Sequence, residues 1–209
     1  MSSDRIIERV INGDQAVGVY RPREGWTDVP PANAIMLSGS FRPLHRAHRT
    51  LLNIGVHVSG KNLTPCFELS VKNVEKPDIV VAELQERVAQ FTLAGDTVVI
   101  TQAATFLEKA RLMPGTTFVI GYDTAIRLFD DRFYSDSHAA SPSISAMSEL
   151  RNLGSSFIVG GRRDAEGRFR TVRDVEVPAG FESLLLEIPE HMFSDPISST
   201  QIRERRTVE

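Results

Sequence analysis

The 209-residue chain lacks the features of a membrane or secreted protein. It has no uninterrupted apolar run of about 18 residues, the length that a membrane-spanning helix needs. Its N-terminus has no charged-then-apolar leader. A formal net charge of −3 gives little attraction for nucleic acid. We therefore expect a cytoplasmic protein that binds neither membranes nor nucleic acid.

Cysteine is almost absent, since Cys66 is the only one in the chain. A single cysteine cannot form an intrachain disulfide. Because Cys66 lies in an apolar segment, a buried structural thiol is favoured over a reactive one. What the chain does have is a hydrophobic fraction of 41% over 209 residues, enough for one domain with a sizeable core.

Short apolar segments alternate with helical patterns through most of the chain. The predicted strands are 34–37, 65–71, 97–101, 116–122, 156–159 and 184–188. The predicted helices begin near residue 45 and at 82, 105, 125 and 144. This alternation predicts an α/β fold with a doubly wound, mostly parallel sheet. Residues 1–33 are interpreted as an N-terminal extension with a short helix, one strand and a loop over residues 21–33, and residues 34–209 as the main domain.

The most informative stretch is AIMLSGSFRPLHRAHRTLL, residues 34–52. An apolar strand is followed by a small-residue turn around Gly39 and then by a helix that begins near His45. A helix N-terminus presents unpaired amides and the positive end of the dipole, so it suits a phosphate. His45 and His48 are three residues apart, on the same side of the first turn, where both can donate hydrogen bonds to the same phosphates. A strand, turn and helix are common in α/β proteins, and two histidines alone are more often a coincidence on the surface. The inference therefore depends on the full combination GSFxPxHxxH directly after the first strand.

A second helix start is predicted near the C-terminus, at PISSTQIR, residues 196–203. Ser199 and Thr200 suit a helix cap, and Arg203 lies one turn into the helix. Taken alone, this segment is an ordinary capped helix. Its hydroxyls, free amides and guanidinium would also suit an anion.

Other polar residues follow predicted strands, where the ligand crevice of an open parallel sheet lies. Lys72 follows the second strand, and Gly121 and Asp123 follow the fourth. Each also has an ordinary structural explanation, as a solvated lysine or as turn and cap residues. Arg87 faces either the crevice or water, and residues 160–163 (GGRR) form either an anion site or a solvated basic turn.

The early motif GSFxPxHxxH and the late motif ISSTxIR together resemble the signature pair of nicotinamide and nicotinate mononucleotide adenylyltransferases. These enzymes belong to the nucleotidylyltransferase superfamily. The segment GYDTAIRLFDDRFY, residues 121–134, also resembles that family, and the resemblance covers roughly residues 34–206. The chain departs from the family pattern at Ala47, which usually is glycine, and at Arg42, which often is asparagine or aspartate.

The resemblance implies a Rossmann-like nucleotidylyltransferase fold for residues 34–209 and a reaction of ATP with a mononucleotide to give a dinucleotide and pyrophosphate. It implies that His45, His48 and Arg203 are catalytic and hold the ATP phosphates. It assigns ATP binding to Gly39, Ser40, Phe41, Ser199, Thr200 and Arg203, and mononucleotide binding to Lys72, Gly121 and Asp123. Mg²⁺ would bridge the phosphates rather than occupy a site built by the protein alone.

The family commonly stacks the pyridine ring on a tryptophan, but the only tryptophan here is Trp26 in the N-terminal segment. Stacking would then fall to Phe129, Phe133 or Tyr134. Two other functions therefore stay open: a nucleotide sensor or weak ATPase, and a nucleotidylyltransferase with a different phosphate-ester acceptor. The sequence leaves open the choice between amide and acid mononucleotides and any homo-oligomeric state.

Overall fold

A computed structural model describes residues 3–72, 79–134 and 141–193. Its helices are α1 (Ser3–Asn12), α2 (Arg46–Ser59), α3 (Val81–Thr92), α4 (Phe106–Leu112), α5 (Tyr122–Arg127) and α6 (Pro142–Asn152). Its strands are β1 (Val17–Arg21), β2 (Gly25–Thr27), β3 (Ala34–Ser38), β4 (Thr64–Ser70), β5 (Val98–Thr101), β6 (Thr117–Gly121), β7 (Ser156–Gly160), β8 (Arg162–Arg163), β9 (Phe169–Arg170) and β10 (Leu185–Ile188). None of these helices combines the length and apolarity that crossing a bilayer requires.

Eight strands form one mixed sheet in the order β10-β7-β6-β3-β4-β5-β1-β2. The six strands from β10 to β5 pair in parallel, whereas β1 pairs antiparallel with β5 and with β2. Helices flank this sheet, and the strand order is compatible with a Rossmann-like fold. The predicted α/β class with a mostly parallel sheet is confirmed.

Residues 3–33 extend the same sheet and core. β1 continues the sheet beyond β5, and α1 buries Ile6, Ile7 and Val10 in the core. The prediction of a loop throughout residues 21–33 is wrong at β2. That strand forms a hairpin with β1, in which the Trp26 ring packs 5.8 Å from the Tyr20 ring.

The order in which strands are added to the sheet reverses at β3. From β3 the chain proceeds outward to β4 and β5, and it then returns to add β6 on the opposite side of β3. In open α/β sheets, the connections from the two strands at such a point diverge and leave a crevice at their carboxyl ends. The segments that follow β3 and β6 are therefore the expected borders of a ligand site.

The core lies on both faces of the sheet. One apolar cluster includes residues of α1, α2 and α3, and the other includes residues of α4, α5 and α6. Cys66 of β4 is completely buried in the second cluster, as predicted for a structural thiol. Burial raises the pKa of the Cys66 thiol well above its usual range, which keeps it protonated and unreactive.

Gly55 lets α2 pack closely on β6. A Cβ added to Gly55 would lie 2.6 Å from the Cγ2 atom of Val119. We expect Gly55→Ala to lower the free energy of unfolding by about 1–2 kcal/mol, because overpacking outweighs the gain in helix propensity. Urea unfolding measures this change. Asn53→Ala, at an exposed position of the same helix, should be neutral or stabilising, and equal behaviour of the two variants would contradict the close packing.

Candidate functional site

A cavity of about 440 Å³ lies over the carboxyl ends of β3 and β4, at the predicted edge of the sheet. The turn after β3 borders it with Gly39 and Ser40, and β4 contributes Glu68 and Ser70. Helices α3, α4 and α5 also contribute side chains to the lining. The cavity therefore lies on the side of β3 that faces β4 and β5.

The charged residues that line the cavity are mostly cationic. The cations are Arg42, Arg87, Lys109 and Arg127, and the carboxylates are Glu68 and Glu83. Arg87 faces the cavity and donates to Glu83, so the crevice alternative for this residue is correct. An excess of positive charge in a concave site favours a ligand with anionic groups.

The packing of the turn after β3 favours glycine at position 39. Phe41 has a positive φ of 44°, and its side chain turns back into the core with 2% exposure. A Cβ on Gly39 would lie 3.1 Å from the Phe41 ring. Gly39 and Ser40 line the cavity, whereas the carbonyl of Phe41 accepts a hydrogen bond from Gln90.

His45 and His48 lie together at the start of α2. Their rings stack with centroids 3.7 Å apart, and the His48 ring contacts the edge of Phe41 at 5.0 Å. The His45 amide donates to Nδ1 of His48 over 3.3 Å. Because Nδ1 accepts, the proton of a neutral His48 belongs on Nε2, which is then a hydrogen-bond donor.

Burial, followed by the electrostatic effects of His45 and Arg49, lowers the pKa of His48 to about 3. The ring is therefore neutral at neutral pH. It can donate one hydrogen bond to an oxyanion, but it contributes no positive charge. Neither histidine lines the 440 Å³ cavity, although the Gly39–Ser40 turn that does so precedes them in the chain.

The low pKa of His48 predicts a pH-dependent stability. Between about pH 6.5 and pH 3 the unfolded chain binds a proton at His48 that the folded protein does not bind. Stability from this group is thus complete above pH 6.5 and is lost as the pH falls. We expect its contribution to the free energy of unfolding to drop by about 2 kcal/mol between pH 7 and pH 5.

Urea titrations at pH 7 and pH 5 measure this loss. His48→Gln should reduce the difference between the two pH values by that amount. His57→Gln, at an exposed position in the last turn of α2, is the matched control and should keep more of the difference. An unchanged difference in His48→Gln would mean that His48 titrates normally in the folded protein.

The predicted mononucleotide residues do not share one lining. Gly121 precedes α5, and a Cβ there would meet no atom within 4 Å. Asp123 pairs with Arg162 and borders a second, more open cavity of about 700 Å³. Arg127 borders both cavities. Lys72 is exposed just beyond β4, whose Ser70 lines the first cavity.

The GGRR turn has a structural explanation. A Cβ on Gly161 would lie 2.5 Å from the carbonyl oxygen of Arg170, so packing requires glycine there. Arg162 pairs with Asp123, and Arg163 donates to Glu190 over 2.5 Å. The exposed basic turn is thus the better of the two interpretations offered by the sequence.

The aromatic residues expected to replace a tryptophan divide between two places. Phe133 and Tyr134 line the 440 Å³ cavity, together with Phe106 of α4. Phe129 packs against the core cluster beneath α5. Two of the three predicted aromatic rings therefore border the same space as Gly39 and Ser40.

The cavity is also lined by a buried ion pair that no sequence motif predicted. Glu68 is 0% exposed and Lys109 is 5% exposed, with 3.5 Å between Glu68 Oε2 and Lys109 Nζ. Glu68 Oε1 accepts from the Thr101 hydroxyl over 2.8 Å. A signal was present, because a glutamate within the apolar strand segment PCFELSV needs a partner when it is buried.

The second predicted helix start lies outside the described residues. Ser199, Thr200 and Arg203 all follow Phe193, where the description of the chain ends. Phe193 itself lies near the end of β7, 3.6 Å from a Cβ built on Gly160. Convergence of the two helix starts on one ligand therefore stays a prediction.

Comparison with known proteins adds no further assignment. No family model matches the chain, and no curated protein matches it. Within residues 3–72, 79–134 and 141–193, no group of three or more histidine, cysteine or acidic side chains is arranged to hold a metal ion. The functional interpretation thus rests on the motifs and on the geometry described above.

Proposed function

We propose that the protein is an adenylyltransferase that joins ATP to nicotinamide or nicotinate mononucleotide, forming a dinucleotide and pyrophosphate. The observation that carries the proposal is the stacked pair of His45 and His48 at the start of α2. This helix follows β3, the strand at which the strand order of the parallel sheet reverses. A neutral His48 with its proton on Nε2 is suited to donate to a phosphate oxygen.

The chemistry requires positioning more than a strong base. An oxygen of the mononucleotide 5′-phosphate attacks the α-phosphorus of ATP. The bond between that phosphorus and the oxygen bridging the α- and β-phosphates breaks, and pyrophosphate leaves. The attacking phosphate is already anionic, so no general base is needed. The protein holds two polyanions in line and stabilises charge on the departing pyrophosphate.

The residues fall into two groups under this proposal. His45 and His48, with Ser199, Thr200 and Arg203, hold the phosphates of ATP, which arrives as its Mg²⁺ complex. Gly39, Ser40 and the backbone of Phe41 border the nucleotide.

The cationic cavity receives the mononucleotide, with Lys72, Gly121 and Asp123 at its approaches. Support for this second group is the excess of lining cations and the aromatic rings of Phe133 and Tyr134.

The direct test is an assay with ATP, Mg²⁺ and a panel of acceptors. The panel contains nicotinamide mononucleotide, nicotinate mononucleotide, phosphopantetheine and a reaction without acceptor. Pyrophosphate release and chromatographic detection of the adenylylated product are followed together. Dinucleotide formation with either nicotinamide or nicotinate mononucleotide supports the proposal, and the absence of adenylylation on every acceptor would overturn it.

A different acceptor is the second candidate, and the location of Trp26 favours it. The only tryptophan of the chain packs on Tyr20 at the β1–β2 edge of the sheet, so it contributes no ring to the cavity. Adenylylation of phosphopantetheine alone would establish this alternative. Calorimetric ATP binding without transfer to any acceptor would instead indicate the sensor or weak ATPase.

The late motif is tested by a double-mutant cycle. If Arg203 and His48 hold the same triphosphate, each alanine variant should lower kcat/KM, and the double variant should lose less than the product of the single effects. We expect a coupling energy of about 1–2 kcal/mol from steady-state kinetics. Strict additivity would indicate that the two residues act on separate groups.

A further inference from the structure

We infer that Arg42 and Arg87 form a clamp for a phosphate monoester in the 440 Å³ cavity, and that Glu83 occupies this clamp when no ligand is bound. The two arginines come from different elements. Arg42 lies in the turn after β3, whereas Glu83 and Arg87 lie one turn apart on α3, and all three line the cavity. The inference concerns binding alone, so it goes beyond the proposed transfer reaction.

Both guanidinium groups meet the same carboxylate oxygen. Arg87 donates a hydrogen bond to Oε1 of Glu83, and Arg42 forms an ion pair with the same oxygen. Two positive charges thus share this one carboxylate oxygen. One carboxylate oxygen cannot accept from all five N–H donors of Arg87. Arg87 therefore keeps unused capacity to bind an anion.

Arg87 shows this unused capacity most clearly. Its side chain is 13% exposed, and its Nε atom is shielded from solvent without a hydrogen-bond acceptor among the described residues. Burial lowers the pKa of Arg87, yet a guanidinium stays protonated in proteins. A buried donor without an acceptor is unfavourable, so an incoming oxyanion that satisfies it gains affinity.

A phosphate monoester fits this clamp better than a carboxylate does. The planar guanidinium fork binds carboxylate and phosphate oxygens in the same bidentate geometry. A phosphate monoester offers three terminal oxygens and a charge between −1.5 and −2 at about pH 7, by analogy with phosphorylated side chains. It can therefore replace Glu83 and meet both arginines at once. Arg42, with 54% exposure of its side chain, has room to rearrange around it.

Glu83 then competes with the phosphate monoester for Arg42 and Arg87. Removing its charge should strengthen ligand binding, the opposite of what loss of a merely structural ion pair would do. Calorimetry with inorganic phosphate, nicotinamide mononucleotide and ATP as separate probes measures the effect. We expect Glu83→Gln to bind a phosphate monoester about 3- to 10-fold more tightly than the wild type.

The three probes identify the source of the phosphate. Tighter binding of inorganic phosphate and the mononucleotide, with ATP unchanged, assigns the clamp to the acceptor. Tighter binding of ATP assigns it to the nucleotide. Arg87→Gln should weaken the same probe at least about 10-fold, since a buried bidentate contact is lost.

The matched control is Glu8→Gln. Glu8 is exposed on α1, does not line the cavity, and its replacement changes the net charge by the same amount. It should leave each dissociation constant within about twofold, a change of under 0.5 kcal/mol. Melting curves of all variants without ligand verify folding.

Unchanged or weaker binding by Glu83→Gln would overturn the clamp, as would no detectable binding of any probe to both this variant and the wild type. Turnover in the acceptor assay is a separate result. Dinucleotide synthesis with no effect of Glu83→Gln would leave the proposed function standing. Tighter phosphate binding without any transfer would instead leave the clamp standing and remove the transferase.

Discussion

Replacing His48 with alanine is expected to lower kcat/KM for dinucleotide formation by about 100- to 1,000-fold, the usual effect of removing one donor from a developing oxyanion. The reason is the orientation of the ring. The His45 amide donates to Nδ1, so the N–H donor of the neutral ring is at Nε2, which would bind a phosphate oxygen under the proposed function. Alanine removes this donor without changing the net charge of the site at neutral pH.

Three variants separate catalysis from folding. His45→Ala should reduce turnover in the same direction, because its ring stacks on His48 at 3.7 Å and holds its orientation. His48→Gln keeps a polar side chain with an N–H donor and should lose less activity than alanine. His57→Ala, at the other end of α2 and exposed, should stay within about twofold of the wild type, since isolated surface changes have small effects.

Melting temperatures decide how a loss of activity is interpreted. The His48 ring also packs against Phe41 at 5.0 Å, so the alanine variant is expected to be somewhat less stable. A loss of activity in folded protein below its melting temperature supports the role in phosphate binding. Wild-type turnover in His48→Ala would mean that the histidine pair serves only the packing of the turn.

The sheet was predictable because buried parallel strands leave a clear pattern. The continuous apolar run that begins at Ala34 became β3, and the spacing of Ala47, Leu51 and Leu52 became the buried face of α2. Such patterns need no knowledge of the partner element, since burial on both faces of a strand requires apolar residues throughout.

Features that depend on distant partners were not predictable. The β2 strand forms by pairing with β1, where the Trp26 ring packs on the Tyr20 ring, and no local pattern predicted it. Asp123 looked like a ligand contact or a helix cap, yet it pairs with Arg162, which lies 39 residues further along the chain. Sequence reasoning identifies a polar residue at a strand end, but folding decides whether a ligand or another side chain meets it.

The buried pair of Glu68 and Lys109 also depends on a distant partner that the sequence did not identify. The glutamate in an apolar strand indicated that a cation was required, while the sequence offered no means of choosing Lys109 on α4. Its Nζ lies 3.5 Å from Glu68 Oε2 and 5.5 Å from the centre of the Phe106 ring. Lysine at this position is thus held by a carboxylate and an aromatic face.

Lys109→Met is consequently expected to lower the free energy of unfolding by about 3–5 kcal/mol, because it leaves the Glu68 carboxylate buried and uncompensated. Urea unfolding measures the change. The double variant Glu68→Gln/Lys109→Met replaces the pair with neutral side chains of similar size and should recover most of this loss, since a buried pair contributes little net stability. The side-chain carbonyl of the introduced glutamine can still accept from the Thr101 hydroxyl.

Arg111→Met is the matched control on the same helix. Arg111 donates to Glu149 over 2.6 and 2.8 Å, but this pair lies on the exposed surface between α4 and α6. Its loss should cost at most about 1 kcal/mol. If Lys109→Met were no more damaging than Arg111→Met, Glu68 would have to find water or another donor in the cavity, because an ionised carboxylate does not remain buried without compensation. Failure of the double variant to recover would place the loss in the contact of Lys109 with Phe106 instead of the ion pair.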